Sequence, residues 1–278
     1  MEFWLIYRKE DVQKNKAYID NYLRFAPSFG LLCRLVLTDE LEFGVKNGTP
    51  FVKGPSELPA FAVVRAIRPD ISKYLEKCGI RCFNSAFVSE ICNNKAYTYS
   101  FLSGRGIPMP DTVFIKNVDL EKYLETCACG KIIKAVEGHG GSQVVMFDKN
   151  AAEILKIIGK SDVVIQERIG TKARDLRVYV IGNRIVASVL RSSESDFRAN
   201  FSLGGDVRLY NLSSDEEKIV RKIIDCFEFD FVGIDFLIDD NGKMIFNEIE
   251  DVVGARMLYK CSEIDIVREY LEYLAKVN

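Results

Sequence analysis

The sequence predicts an α/β protein in which a parallel N-terminal domain precedes a larger part built from hairpins and helices. Three observations lead there. Short apolar runs alternate with helical patterns over the first third, and glycine-rich turns join paired β-branched runs over the rest. At 278 residues and 48% hydrophobic content, the chain is long enough for roughly two domains and a substantial core.

The elements follow in order. "FWLIYR" (3–8), "LLCRLVLT" (31–38) and "FAVVRAI" (61–67) read as buried strands, with the amphipathic stretch from Val12 to Phe25 and "ISKYLEKCG" as covering helices. Between Asp39 and Pro59 the Gly- and Pro-rich segment reads as an excursion or small hairpin. A break at "FNSAF" (83–87) closes a first domain, residues 1–83, and one helix over "VSEICNNKAYTYSFLSGRG" follows, stopped by Gly104, Gly106 and Pro108. Hairpins then dominate. "KIIKAV" (131–136) and "QVVMFD" (143–148) flank "EGHGGS", and "DLRVYVI" returns as "RIVASVL" through Gly182-Asn183. Ser213 caps a helix whose first turn carries Asp215, Glu216 and Glu217, and the chain closes on a helix from near Ser262 to Ala275.

Composition excludes several classes. The net charge is −2, with 38 Lys and Arg against 40 Asp and Glu and no basic block, which argues against nucleic acid or an anionic membrane as partner. No run approaches the roughly 20 apolar residues of a transmembrane span, and "MEFWLIYRKEDVQ" turns polar too early for a signal peptide, so a cytoplasmic protein is expected. Eight cysteines without a CxxC pair, beside a single histidine, point to buried reduced thiols rather than a metal site.

The chemistry concentrates in five places. The glycine-rich loop "EGHGGSQ" (137–143) lies between two β-branched runs, so it is a flap that covers phosphates with backbone N–H groups, or else a plain flexible hairpin. His139 on it reads as a solvated loop residue. Lys134 alternates to the side opposite Ile133 just before that loop, where an ammonium can reach phosphate, and Lys95 is a second such lysine or a solvated one. "VVIQERIG" (163–170) is an apolar strand breaking into polar residues, whose edge can offer backbone groups to an adenine with Ile169 packing on it. Arg177, Arg191 and Arg198, with Asp175 and Asn200, sit around one set of hairpins and suggest anion recognition, or surface pairing with Glu194 and Asp196.

The fifth place is "VGIDFLIDDNGKMIFNEIEDVVG" (232–254). A two-residue Asn241-Gly242 turn would set Glu248 opposite Asp235 and Phe246 opposite Leu237. Asp235, Glu248 and Glu250 would then share one face, and Ile234, Phe236, Ile238, Ile245 and Ile249 the other. Like charges facing each other in a sheet are destabilising, so a divalent cation, best magnesium, is expected to resolve the conflict. A slip of register would instead leave the acids in solvent.

In this order, the helix lysine, strand lysine with glycine flap, "QERI", "DLR", "DFRAN", "GG", Asp and E-x-E resemble the ATP-grasp superfamily. Within it the chain looks like the RimK-type ligases, which join an amino acid to a carboxylate, over residues 84 to 270. The resemblance implies an ATP-grasp fold with a central unit, 84–165, carrying the flap, and a C-terminal unit, 166–278, carrying the metal site. It implies that Lys95 and Lys134 hold the phosphates, that Glu167 and Ile169, with Arg168 between them, meet the adenine, and that Asp175 meets the ribose. Arg191 would join the nucleotide site, Arg198 and Asn200 would face the triphosphate and reacting centre, and Lys134 and Arg198 would be the catalytic pair. Asp235, Glu248 and Glu250 would hold two magnesium ions, with manganese as a substitute. In the first domain "VVRAIRP" is similar to the arginine-bearing strand end that lines the substrate cleft. One departure stands out: Glu250 replaces the usual Asn of E-x-N, and Val253 replaces a Pro.

The expected activity is an ATP-dependent ligase joining a small-molecule or peptide carboxylate to an amine through an acyl phosphate. A nucleotide-binding regulator without ligation and a metal-dependent hydrolase are the alternatives. The substrates are not identified, although Arg65, Arg68 and Arg256 can each take a substrate carboxylate. The resemblance also allows assembly of identical subunits, in a number it does not set.

Overall fold

Every residue from Phe3 to Tyr7 is buried, as a strand covered on both faces requires. In the computed structural model, which describes residues 1–148, 150–193 and 206–277, this strand (Glu2–Tyr7) is an inner member of a four-stranded parallel sheet. Its neighbours are Leu32–Leu37 and Phe61–Val64, and Arg81–Phe83 closes the far edge. Alternation sorts the two faces: Trp4 and Ile6 pack with Ile71 and Leu75 of the helix Pro69–Lys77, while Phe3, Leu5 and Tyr7 pack with Ile19 and Tyr22 of the helix Lys16–Phe25. The second face continues into Phe231, Val253, Ile266 and Leu271, so the N-terminal sheet shares a core with the end of the chain. Glu42–Lys46 and Thr49–Lys53 form the separate hairpin expected of the Gly- and Pro-rich segment.

Two helices stand where one was expected after the break, Ala86–Cys92 and Lys95–Leu102. The cause is Asn94. Its side chain accepts a hydrogen bond from the Tyr97 amide at 3.1 Å, which caps a new helix and makes Lys95 its first residue. The Lys95 amide in turn donates to the Val136 carbonyl at 2.9 Å, tying this helix to the start of the glycine loop. Of the stretch expected as a helix from Val12 to Phe25, Lys16–Phe25 is helical, and Val12 instead ends a short helix, Lys9–Val12.

Beyond it lie two antiparallel sheets. The first has the order Thr112–Ile115, Val163–Gln166, Ile132–Ala135, Val144–Met146. Five strands form the second: Asp206–Leu209, Arg184–Ser193, Ala173–Ile181, Phe231–Ile238 and Met244–Glu250. The helix Ser214–Ile224 starts on the expected cap, with Ser213 Oγ accepting from the Glu216 amide and Glu216 accepting from the Ser213 amide. Asn84 anchors the junction, its Nδ2 donating to the Phe231 carbonyl (2.8 Å) and its Oδ1 accepting from the amides of Asp230 and Phe231.

The last hairpin departs from the expected turn. Asp239 and Lys243 close a three-residue loop in which Gly242 takes φ 82°, and pairing runs Ile238 to Met244, Leu237 to Ile245 and Phe236 to Phe246. A bulge at Asn247 then shifts the register by one, so that Asp235 faces Glu248, Ile234 faces Ile249 and Gly233 faces Glu250. Two one-residue errors therefore cancel at the acids. They do not cancel nearer the turn: Met244 and Phe246, rather than Ile245, join Ile234, Phe236, Ile238 and Ile249 in the apolar core. Phe236 and Phe246 meet edge to face with centroids 6.2 Å apart, and each fully buried ring contributes about 1.5–3 kcal/mol. The closing helix begins at Ile266, later than expected, because Asp265 accepts from the Val267 and Arg268 amides and starts it there.

Gly233 has no room for a side chain, since a Cβ built on it would lie 2.5 Å from Val253 Cγ2. Gly233→Ala is expected to cost about 1–3 kcal/mol by overpacking. Pairing it with Val253→Ala should recover part of that loss in denaturant melts, whereas strictly additive effects would remove the clash as the cause.

Candidate active site

The cross-strand register places an arginine directly against each of two buried acids. Arg177 faces Asp235 on the neighbouring strand, and Arg191 faces Asp175 on the other side. Arg177 donates to Asp235 through Nε (2.7 Å) and Nη2 (2.6 Å) and reaches Glu250 at 2.8 Å. Arg191 pairs with Asp175 and also donates to Asp235 at 3.0 Å, while Lys95 Nζ lies 3.1 Å from Glu248 and donates to the Gly138 carbonyl at 2.6 Å. Lys134 Nζ donates to Asn247 Oδ1 at 2.8 Å, so the bulge brings a neutral amide to the lysine.

The acids are also balanced by bases of the protein itself. Asp235 is 1% exposed and stays ionised against two guanidinium groups: burial pushes its pKa up, but Arg177 and Arg191 outweigh that and hold it below the usual range. Glu248 is likewise lowered, with Lys95 and Lys134 outweighing burial. Glu250 is raised, by burial first and then by Asp235 and Glu248, against the pull of Arg177. Asp175 is raised, by burial first and by Asp235 beside it, with Arg191 opposing. Burial, with Lys95 adding to it, pushes Lys134 down to about 8, against Glu248. Arg177 and Arg191 are thus counter-ions to the acids, not the free anion-recognising arginines the sequence suggested. Removing one partner of such a buried pair costs about 3–5 kcal/mol.

Asp235, Glu248 and Glu250 still converge, each offering one oxygen within 4.8 Å of the others. An all-oxygen set of this kind fits a hard divalent ion such as magnesium.

These groups line a cleft between the two antiparallel sheets, with about 120 Å³ of free space. Lys95, Lys134, Glu167, Arg168, Asp175 and Arg191 lie on it together with the three acids, as do Gly138, Gly140 and Gly141 of the glycine loop. Glu167 pairs with Lys131, and Arg168 donates to the Thr171 carbonyl at 2.8 Å. Ile169 does not line the cleft, and Arg198 and Asn200 lie outside the described residues. Asp175 is 6% exposed and engaged by Arg191, deeper than a ribose contact at the rim would need. A second cleft, about 650 Å³, adjoins the first and shares Gly140, Arg177, Arg191 and Glu250 with it. Arg65, Arg256 and His139 line this larger space, whereas Arg68 is exposed and bound to Asp70.

Sequence reasoning missed Asn247 and the counter-ion role of Arg177. The first follows from the bulge, since counting from the three-residue turn alone would pair Asn247 with Asp235. The second had a signal in the strand spacing, which puts Arg177 on the same face as Asp175. All eight cysteines are free thiols, and among the described residues no helix is long and apolar enough to cross a membrane.

Residues 92–274 match the RimK-like ATP-grasp domain. The chain is 30% identical over 268 residues to beta-citrylglutamate synthase B of Mus musculus, covering 88% of this chain and 68% of that one. It is 31% identical over 214 residues to a probable alpha-L-glutamate ligase of Coxiella burnetii (strain Dugway 5J108-111), covering 74% and 71%. Among solved structures, the ATP-grasp ligase PsnB, complexed with a phosphomimetic variant of its minimal precursor, Mg and ADP, has the same fold. Its TM-score is 0.71 at 15% identity, over 99% of this chain and 98% of that one. With the domain match spanning most of its length, the chain belongs to the RimK-like ATP-grasp family.

Proposed function

We propose that this chain is an ATP-dependent carboxylate–amine ligase that works through an acyl phosphate and releases ADP and phosphate. The observation that carries the reading is the meeting of Lys95, Lys134 and three acids in one cleft beneath a glycine flap. The names of the two relatives, a glutamate ligase and a citrylglutamate synthase, support an amino acid as the amine. In this reading residues 84–165 and 166–278 close on the nucleotide, and residues 1–83 wall the substrate cleft.

A carboxylate is a poor electrophile in water, so its activation comes first. Its oxygen attacks the γ-phosphorus of ATP in line, the bond to the bridging oxygen breaks, and ADP departs with that electron pair. Lys134 and Lys95 neutralise the phosphoryl oxygens, and the backbone of 137–143 covers them and excludes water. Glu167 offers backbone groups to the adenine, with Arg168 beside the nucleoside. Magnesium, with manganese as a substitute and two ions in the full complex, would supply further charge neutralisation from Asp235, Glu248 and Glu250. Arg177 and Arg191 hold those acids in place, and Arg177 offsets the charge of Glu250. The amine then attacks the acyl carbon, Arg198 stabilises the oxyanion, and phosphate leaves. Eight free thiols suit a reducing cytoplasm. A regulator that only binds nucleotide would need fewer of these groups.

Lys134→Met is expected to lower ADP release by two or more orders of magnitude, about 3 kcal/mol of lost transition-state stabilisation, with little change in melting temperature. Unchanged turnover would remove the lysine from the mechanism. Because Lys134 sheds its proton near pH 8, ATP affinity should weaken as pH rises through 8, by up to about tenfold per unit. The same titration on Lys134→Met should be flat between pH 7.5 and 9.5. A screen of amino acids against small carboxylates should find pairs that stimulate ADP release, and magnesium-dependent hydrolysis without nucleotide would favour a hydrolase instead.

A further inference from the structure

The chain has one histidine, and it stands at the tip of the glycine loop. Gly138 and Gly141, on either side of that tip, line the smaller cleft, whereas His139 lines the 650 Å³ cleft. The loop backbone holds it there: the Gly138 carbonyl accepts from Lys95 at 2.6 Å, and the His139 carbonyl accepts from Ser142 Oγ at 3.1 Å. The imidazole itself forms no hydrogen bond or ion pair among the described residues.

Amide formation needs a base in that larger cleft. An amino acid arrives as an ammonium ion, whose nitrogen has no lone pair until a proton is removed. Few of the groups that line the cleft can take that proton. Asp11 is held by Arg8 at 2.7 Å and Glu250 by Arg177 at 2.8 Å, the Lys and Arg side chains are donors only, and burial pushes the Tyr18 hydroxyl up to about 12. His139 differs from all of them. A neutral imidazole carries one free lone pair, and burial, Lys95 and Arg8 favour the neutral form here by lowering its pKa, with Glu248 pulling the other way. Those charges come from both sides: Arg8 follows the first strand of the N-terminal sheet, and Lys95 and Glu248 line the smaller cleft. The other charges where the clefts meet, Arg177, Arg191 and Glu250, are already committed to ion pairs.

We propose that His139 is the base that deprotonates the incoming amine. The assignment rests on the ligase reading. The imidazole removes one proton from the ammonium group, and the electron pair left on nitrogen attacks the acyl carbon. The second proton leaves with the phosphate as the acyl C–O bond breaks, and the imidazolium passes its own proton to solvent.

Amide formation by the full chain at saturating ATP tests this, with the amino acid and carboxylate that most stimulate ADP release as substrates. Hydroxylamine serves as a second amine, because it is largely unprotonated at neutral pH and needs no base. His139→Gln should slow the amino acid reaction at pH 7 by about 100-fold and hydroxamate formation by less than about threefold. The ratio of wild-type to variant rates should shrink as pH rises toward about 9, where free amine becomes abundant, and the ratio cancels the Lys134 titration that both proteins share. Imidazole added to His139→Gly should restore the rate in proportion to its concentration and leave the wild type unchanged. The assignment is overturned if both amines slow equally, which would make His139 a structural part of the flap, if neither slows, or if imidazole restores nothing. If no pair stimulates ADP release, the ligase reading falls and the base with it. If pairs do so and His139→Gln is silent, the reading stands and only the base is lost.

Discussion

Arg177 and Asp235 face each other across adjacent strands, both almost fully buried, and much of the site is arranged around that contact. An ionised carboxylate at 1% exposure is tolerable only with its lone pairs engaged, and two guanidinium groups engage them. Arg191 then needs Asp175, Arg177 also takes Glu250, and Glu248 draws Lys95. Four acids and four bases, Lys134 included, line a single cleft. Such a cluster has little net charge and many fixed dipoles, which would suit the exchange of partners that the proposed binding of a polyanion and a metal requires.

The bulge at Asn247 links this electrostatics to the fold. Without it, the register that leaves the three-residue turn would pair Asp235 with Asn247 and turn Glu248 and Glu250 toward the core formed by Phe236 and Phe246. With it, the acids open onto the cleft, and the extra residue supplies a neutral oxygen to Lys134. Burial, with Lys95 adding to it, holds the lysine's pKa down against the pull of Glu248. The flap joins the same network through the bond from Lys95 to the Gly138 carbonyl.

Much of this was legible in the sequence, for identifiable reasons. Short apolar runs marked the strands, Ser213 and Glu216 marked a helix start, and Gly182-Asn183 marked a tight hairpin. Asp235 and Glu248 were matched correctly by an argument with two compensating errors, because turn length and bulges are set by backbone conformations that one glycine leaves open. The split at Asn94 was hidden by a helical pattern on both sides of it, and the late start at Ile266 by apolar spacing that continues through the Asp265 cap. Counter-ions were least legible. Whether Arg177 faces a carboxylate or a ligand depends on which strands are neighbours, and local sequence does not carry that.

The central claim is that Asp235, Glu248 and Glu250, balanced by their bases, are a nucleotide-linked metal site. Electron paramagnetic resonance of manganese binding tests it most directly, with wild type and Glu248→Gln compared in the presence and absence of ATP. The account predicts that ATP strengthens manganese uptake by the wild type and that Glu248→Gln weakens it by at least about tenfold, both proteins remaining folded. Equal manganese uptake by the two proteins, or uptake indifferent to ATP, would contradict it.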